Sequence, residues 1–196
     1  MELHGRSECA AYSKAVERST NARKSGAMEV NATAMAHPRV LRHPNRLPFE
    51  GVLTLVDVAS DKAPSGARGH RVLLTRDAAD EALPSLLGMA VDYKAGWDGH
   101  DARQKCGIIT TAELAGKKLH VAGYLFCRDF PEIEQRMGIQ SSMGMSYELA
   151  DAHVADMRAQ VWTLTKATFT GAAILLREKA AYHGTSFRLR PSAVMS

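Results

Sequence analysis

Residues 106–126 read CGIITTAELAGKKLHVAGYLF. Two apolar, β-branched runs, Cys106–Leu114 and Lys118–Phe126, are joined by Ala115-Gly116-Lys117. Strand-forming runs flanking a short glycine-containing connection are the signature of a β-hairpin. This hairpin places an antiparallel pair at the centre of the chain and makes the fold mainly β.

Working outward, five further runs have strand character. They are FEGVLTLVDVAS (49–60), RVLLT (71–75), AVDY (90–93), GMSYELADA (144–152) and AQVWTLTKATFTGAAILL (159–176). The last is long enough to bend or to serve as two strands. Helical signals are fewer. Thr75 is suited to cap a helix with Asp77, Asp80 and Glu81 near its positive end, and Ala79, Leu83, Leu86 and Leu87 supply its apolar stripe. Pro84 should split that helix. RDFPEIEQRM (128–137) predicts a second one, with Asp129 as cap and Pro131 in the first turn. About seven strands and two or three helices suggest an α+β, mainly β domain: a small antiparallel barrel or sheet with helices outside it.

The 196 residues, 45% of them hydrophobic, suit one globular domain. No stretch approaches the roughly 20 apolar residues that span a bilayer. The polar N-terminus lacks the apolar core of a signal peptide, so a cytoplasmic protein is expected. The net charge of +4 is unevenly distributed. Residues 1–46 hold eight Lys/Arg against four Asp/Glu, and the remaining 150 hold seventeen of each. A neutral body argues against a nucleic-acid-binding face. The basic segment ends in AHPRVLRHPNRLP, rich in proline, and reads as an extended arm. The expected organisation is an arm over 1–46, a domain over 47–185 and a tail over 186–196.

Three cysteines, Cys9, Cys106 and Cys127, form no CxxC pair, so reduced thiols are expected. Cys106 and Cys127 with His120 match no zinc spacing, and neither phosphate-cradling glycine motif is present. No metal or cofactor is therefore expected. The chemistry-bearing candidates are His100, in the loop WDGHDARQ, and Ser146, in Gly144-Met145-Ser146-Tyr147-Glu148. A serine hydrolase needs a hydroxyl held against a histidine, a group orienting that histidine, and backbone donors for the oxyanion. Taken singly, His100 reads as a surface-loop residue and Ser146 as a strand serine. Ser141 and Ser142 are rival hydroxyls. Glu148, two residues from Ser146, shares its strand face.

The order of these pieces is more specific than any one of them. His100 is followed by Cys106-Gly107, then by Leu119-His120-Val121-Ala122-Gly123-Tyr124-Leu125, then by Gly144-Met145-Ser146 and the late run FTGAAILLREKAAY (169–182). In this order and spacing, residues 47–185 resemble the prohead (capsid maturation) proteases of tailed bacteriophages. The resemblance implies a herpesvirus-protease-like fold, a bent antiparallel barrel of about seven strands. It also implies a serine endopeptidase with Ser146 as nucleophile and His100 as base, and backbone amides near Gly144 or Gly171 as oxyanion donors. The implied substrates are the phage scaffolding protein, the major capsid protein and the enzyme itself, cut inside the assembling prohead in the host cytoplasm. A homodimer is a further expectation, with no membrane and no specific nucleic acid as partner. The family's third catalytic group has no counterpart in residues 161–176, which contain no Asp, Glu or His. Glu148, Asp98 and Asp101 stand as replacements. That gap also motivates a second expectation, a catalytically inactive barrel serving as a capsid-assembly or scaffolding module.

Overall fold

The computed structural model describes residues 30–36, 43–139 and 142–190. Among them are nine strands: β1 (Val30–Ala34), β2 (Leu47–Leu55), β3 (Arg71–Leu74), β4 (Ala90–Tyr93), β5 (Lys105–Ala115), β6 (Lys118–Leu125), β7 (Met143–Val154), β8 (Val161–Leu176) and β9 (Ser186–Leu189). Helix α1 spans Arg76–Ala82 and helix α2 spans Pro131–Ile139. The hairpin read from the sequence is β5–β6, closed by Gly116 at φ +57°.

β8 is the spine of the sheet. β7 runs antiparallel along one edge, and β3 and β4 share the other edge end to end, both parallel to β8. From β4 the sheet continues through β5, β6 and β2 to β9, all antiparallel. The chain passes from β3 to β4 through α1 and a 3-10 turn at Leu83–Leu86. Thr75 caps α1, its hydroxyl accepting from the Ala78 N–H at 3.2 Å. Pro84 ends the helix at Ala82, as its missing donor requires. Ser85 in the turn then accepts the Phe169 N–H at 3.0 Å. That bond satisfies β8 where neither β3 nor β4 reaches it.

The sheet curls into a half-barrel. The Met145 N–H on β7 donates to Thr185 Oγ1, next to β9, at 3.3 Å. The closure depends on Gly51 of β2, where a Cβ would lie 2.7 Å from Met145 Sδ and 2.4 Å from the Ser186 carbonyl oxygen. Phe49, Leu53, Ile109, Leu114, Leu125, Met145 and Ile174 fill the interior, with Phe49 and Phe187 rings 5.3 Å apart.

Three expectations need correction. β1 lies inside the segment read as an arm and pairs with the part of β5 beyond β4. β9 lies inside the segment read as a tail and covers the outer edge of β2. Both are edge strands of four or five residues, each held by a single partner far away in the chain. Asp129 does not cap α2; its carboxylate accepts from the Asn45 side-chain amide at 2.6 Å, and the helix starts at Pro131.

The glycines of the hairpin are steric requirements. A Cβ on Gly123 would stand 2.0 Å from the Ile108 carbonyl oxygen, and one on Gly107 would stand 2.5 Å from that of Tyr124. Gly123→Ala is therefore expected to destabilise by about 1–3 kcal/mol. Gly138→Ala on α2, where nothing lies within 4 Å, is expected to be neutral or mildly stabilising. Thermal unfolding of the two variants measures the contrast; equal melting temperatures would remove the close-approach explanation.

Candidate active site

Strand register assembles one row of side chains from four strands. Ser146 on β7 pairs with Ala173 on β8, Ala173 with Asp92 on β4, and Asp92 with Lys105 on β5. Residues paired across strands share a face of the sheet. Strands are spaced about 4.8 Å apart, so Ser146 and Asp92 stand about 10 Å apart with one methyl group between them. One step along, Glu148 pairs with Gly171. A Cβ on Gly171 would lie 2.6 Å from Glu148 Oε2, so the missing side chain makes room for that carboxylate.

The loop between β4 and β5 folds over this row because Trp97 anchors it. Trp97 takes φ +56°, and its buried ring stacks on Tyr93 at 4.8 Å. Its carbonyl oxygen accepts the Leu176 N–H at 2.8 Å, tying the loop to the end of β8. Three residues on, the His100 side chain is 18% exposed. Its Nδ1 lies 3.3 Å from Asp92 Oδ1 and 3.8 Å from Glu148 Oε1.

Asp92 is the most buried charge in the cluster, its side chain 1% exposed. Taking a carboxylate out of water costs several kcal/mol unless partners compensate. Lys105 Nζ donates to Asp92 Oδ2 at 2.8 Å, and His100 faces Oδ1. Burial alone pushes the Asp92 carboxyl up; the hydrogen bonding and charge of His100 and Lys105 outweigh it and hold the pKa below the ordinary aspartate value. With Nδ1 turned toward two carboxylates, the tautomer protonated at Nδ1 is favoured, which leaves Nε2 as the basic nitrogen. Nε2 is buried and has no hydrogen-bond partner, and the approach of Nδ1 to Asp92 Oδ1 at 3.3 Å is an electrostatic contact without hydrogen-bond geometry. Ser146 is half-buried and makes no hydrogen bond to His100 in this structure. Such contacts are often loose without substrate.

The other candidates fall elsewhere. Asp98 pairs with Lys94 at 3.2 Å, and Asp101 with Arg103 at 3.2 Å, within the loop. Glu148 reaches His100 from the solvent side, 52% exposed. Ser142 is exposed just ahead of β7, and Ser141 lies outside the described residues. Gly144 accommodates Thr185 Oγ1 and the Arg177 backbone, which a Cβ would approach to 2.7 and 3.1 Å. Cys106 donates to the Val91 carbonyl oxygen, and burial pushes its thiol up to about 12. It is therefore protonated at neutral pH. Among the described residues, no cluster of three His, Cys, Asp or Glu could hold a metal ion.

Sequence reading missed Asp92. Its one signal was an acid inside the otherwise apolar strand AVDY, and that signal is weak because Glu50, Glu113, Asp151 and Lys166 also lie inside strands. Comparisons with family models, curated proteins and solved structures find no match.

Two predictions follow from the burial pattern. Asp92 titrates lower in the folded state than in the unfolded state, where an aspartate has a pKa of about 3.9. Its stabilisation is complete above that value and is lost as pH falls through the folded pKa. Asp92→Asn should cost about 1.5–3 kcal/mol at neutral pH through the weakened charge-assisted bond from Lys105, and should flatten the fall in stability below about pH 4. Urea titrations from pH 3 to 7 measure both; an unchanged acid slope would mean that Asp92 is not the linked group. For the thiols, iodoacetamide should modify half-buried Cys127 well before Cys106, as read by peptide mass.

Proposed function

We propose that this chain is a serine endopeptidase of the prohead-protease kind, with Ser146 as nucleophile and His100 as general base. The observation that carries the reading is the common row: Ser146 lies on the same sheet face as a histidine whose Nδ1 faces a buried carboxylate. The curled, mainly antiparallel sheet is also compatible with the herpesvirus-protease-like barrel implied by the resemblance.

In this reading Ser146 Oγ attacks the scissile carbonyl carbon and passes its proton to His100 Nε2. The tetrahedral oxyanion collapses, the C–N bond breaks, and the leaving amine takes the proton from Nε2. Water then attacks the acyl ester, delivers a proton to the same nitrogen, and regenerates the serine. Asp92 fixes the imidazole from the buried side and compensates the imidazolium charge, and Glu148 does so from solvent. The proposed substrates are the scaffolding protein, the removable part of the capsid protein and the chain itself, within the assembling prohead.

A second reading, a non-catalytic assembly module on the same scaffold, is favoured by one observation: Ser146 and His100 are not hydrogen-bonded. Co-expression with the cognate capsid and scaffolding proteins, followed by intact mass, separates the two. Ser146→Ala and His100→Ala are expected to reduce processing at least about a thousandfold, with Ser142→Ala close to wild type. Asp92→Asn should cost more than Glu148→Gln. Assembled particles in which wild type cleaves nothing would favour the assembly module.

A further inference from the structure

Lys105 takes no part in the proposed proton transfers, yet it completes the row that holds them. We propose that Lys105 is a positioning residue that sets the pH range over which His100 can accept a proton, by sharing the Asp92 carboxylate with it. The functional meaning rests on His100 being the base; the physical claim does not.

The geometry is a divided carboxylate. Asp92 Oδ2 accepts from Lys105 Nζ at 2.8 Å, and Oδ1 faces His100 Nδ1 at 3.3 Å. The shorter contact belongs to the lysine. Asp92 is withdrawn from solvent, so its charge is shared between these two partners and little is screened by water. The charge committed to the ammonium is not fully available to an imidazolium.

The remaining groups around His100 are few. From β7 comes Glu148, at 3.8 Å from the same Nδ1. On β8, Ala173 and Gly171, the register partners of Ser146 and Glu148, are uncharged. From β4 comes Asp92, with Lys105 of β5 behind it. Within its own loop the charges are already paired, Lys94 with Asp98 and Asp101 with Arg103. The charged groups in these contacts are two carboxylates and one competing cation.

The signs follow directly. Removing the Lys105 charge leaves Asp92 wholly to His100, favours the imidazolium, and moves proton release to higher pH. Removing the Glu148 charge moves it to lower pH, and by less, because that carboxylate is farther away and half exposed.

The test is an NMR titration of the His100 imidazole resonance in the full chain, assigned by its absence in His100→Gln. Lys105→Gln keeps a donor for Oδ2 and removes only the charge. It should raise the midpoint by about half to one pH unit, Lys105→Arg should hold it, and Glu148→Gln should lower it. An unmoved midpoint in Lys105→Gln overturns the proposal. If that variant does not fold, the wild type decides, because coupling is reciprocal: the Lys105 ε-methylene signal should step at the pH where His100 titrates. A lysine signal blind to that step overturns the proposal equally. These readouts need no substrate, so a failure of proteolysis and a failure of the charge-sharing claim are seen separately.

Discussion

A carboxylate buried to 1% exposure in the middle of a sheet is the constraint around which the rest of this structure is arranged. Asp92 can stay ionised there only if polar partners come to it. One is delivered by the adjacent strand, at Lys105, and the other by an eleven-residue excursion that leaves β4 and returns over its face. That excursion is held by an aromatic anchor and a backbone bond to β8, so the imidazole is positioned by packing and does not depend on its ion contact alone. Buried pairs of this kind contribute little net stability compared with a well-packed apolar core. Their presence is better explained by what they fix in place.

β8 is the second requirement. Its run Gly171-Ala172-Ala173 carries almost no side-chain volume, and the groups above it use that space. The Glu148 carboxylate lies over Gly171, and Ala173 separates Ser146 from Asp92 by a single methyl group. Larger residues at 171 and 173 would fill the face on which the polar row stands.

The sequence was legible where local rules decide the outcome. The β5–β6 hairpin, the five other strands between residues 47 and 176 and the break at Pro84 all follow from periodicity, turn chemistry and proline sterics within a few residues. β1 and β9 were missed because each is an edge strand whose existence depends on a partner far away in the chain. The site divided in the same way. His100 and Ser146 stood out by the order of motifs that carries the family resemblance, and Glu148 as one of three acids, with Asp98 and Asp101. Asp92 did not, because its role arises from the register of β4 on β8 and of β8 on β7, which brings position 92 level with 173 and 146. Register of that range leaves no periodic trace in a single sequence.

The use of β8 as spine has a consequence for the order in which the molecule becomes complete. Residues 92, 100 and 105 lie in the first part of the chain, and 146 and 148 on a later strand, but β4 and β7 never pair with each other. Only β8 joins them. During synthesis, the acid–imidazole–lysine half and the serine half are both made before the strand that aligns them. A nascent chain that ends before Gly171 therefore contains every group of the site but not the residues that bring Ser146 level with Asp92. The slow, non-local pairing of the last long strand acts as a built-in delay on any chemistry the row performs.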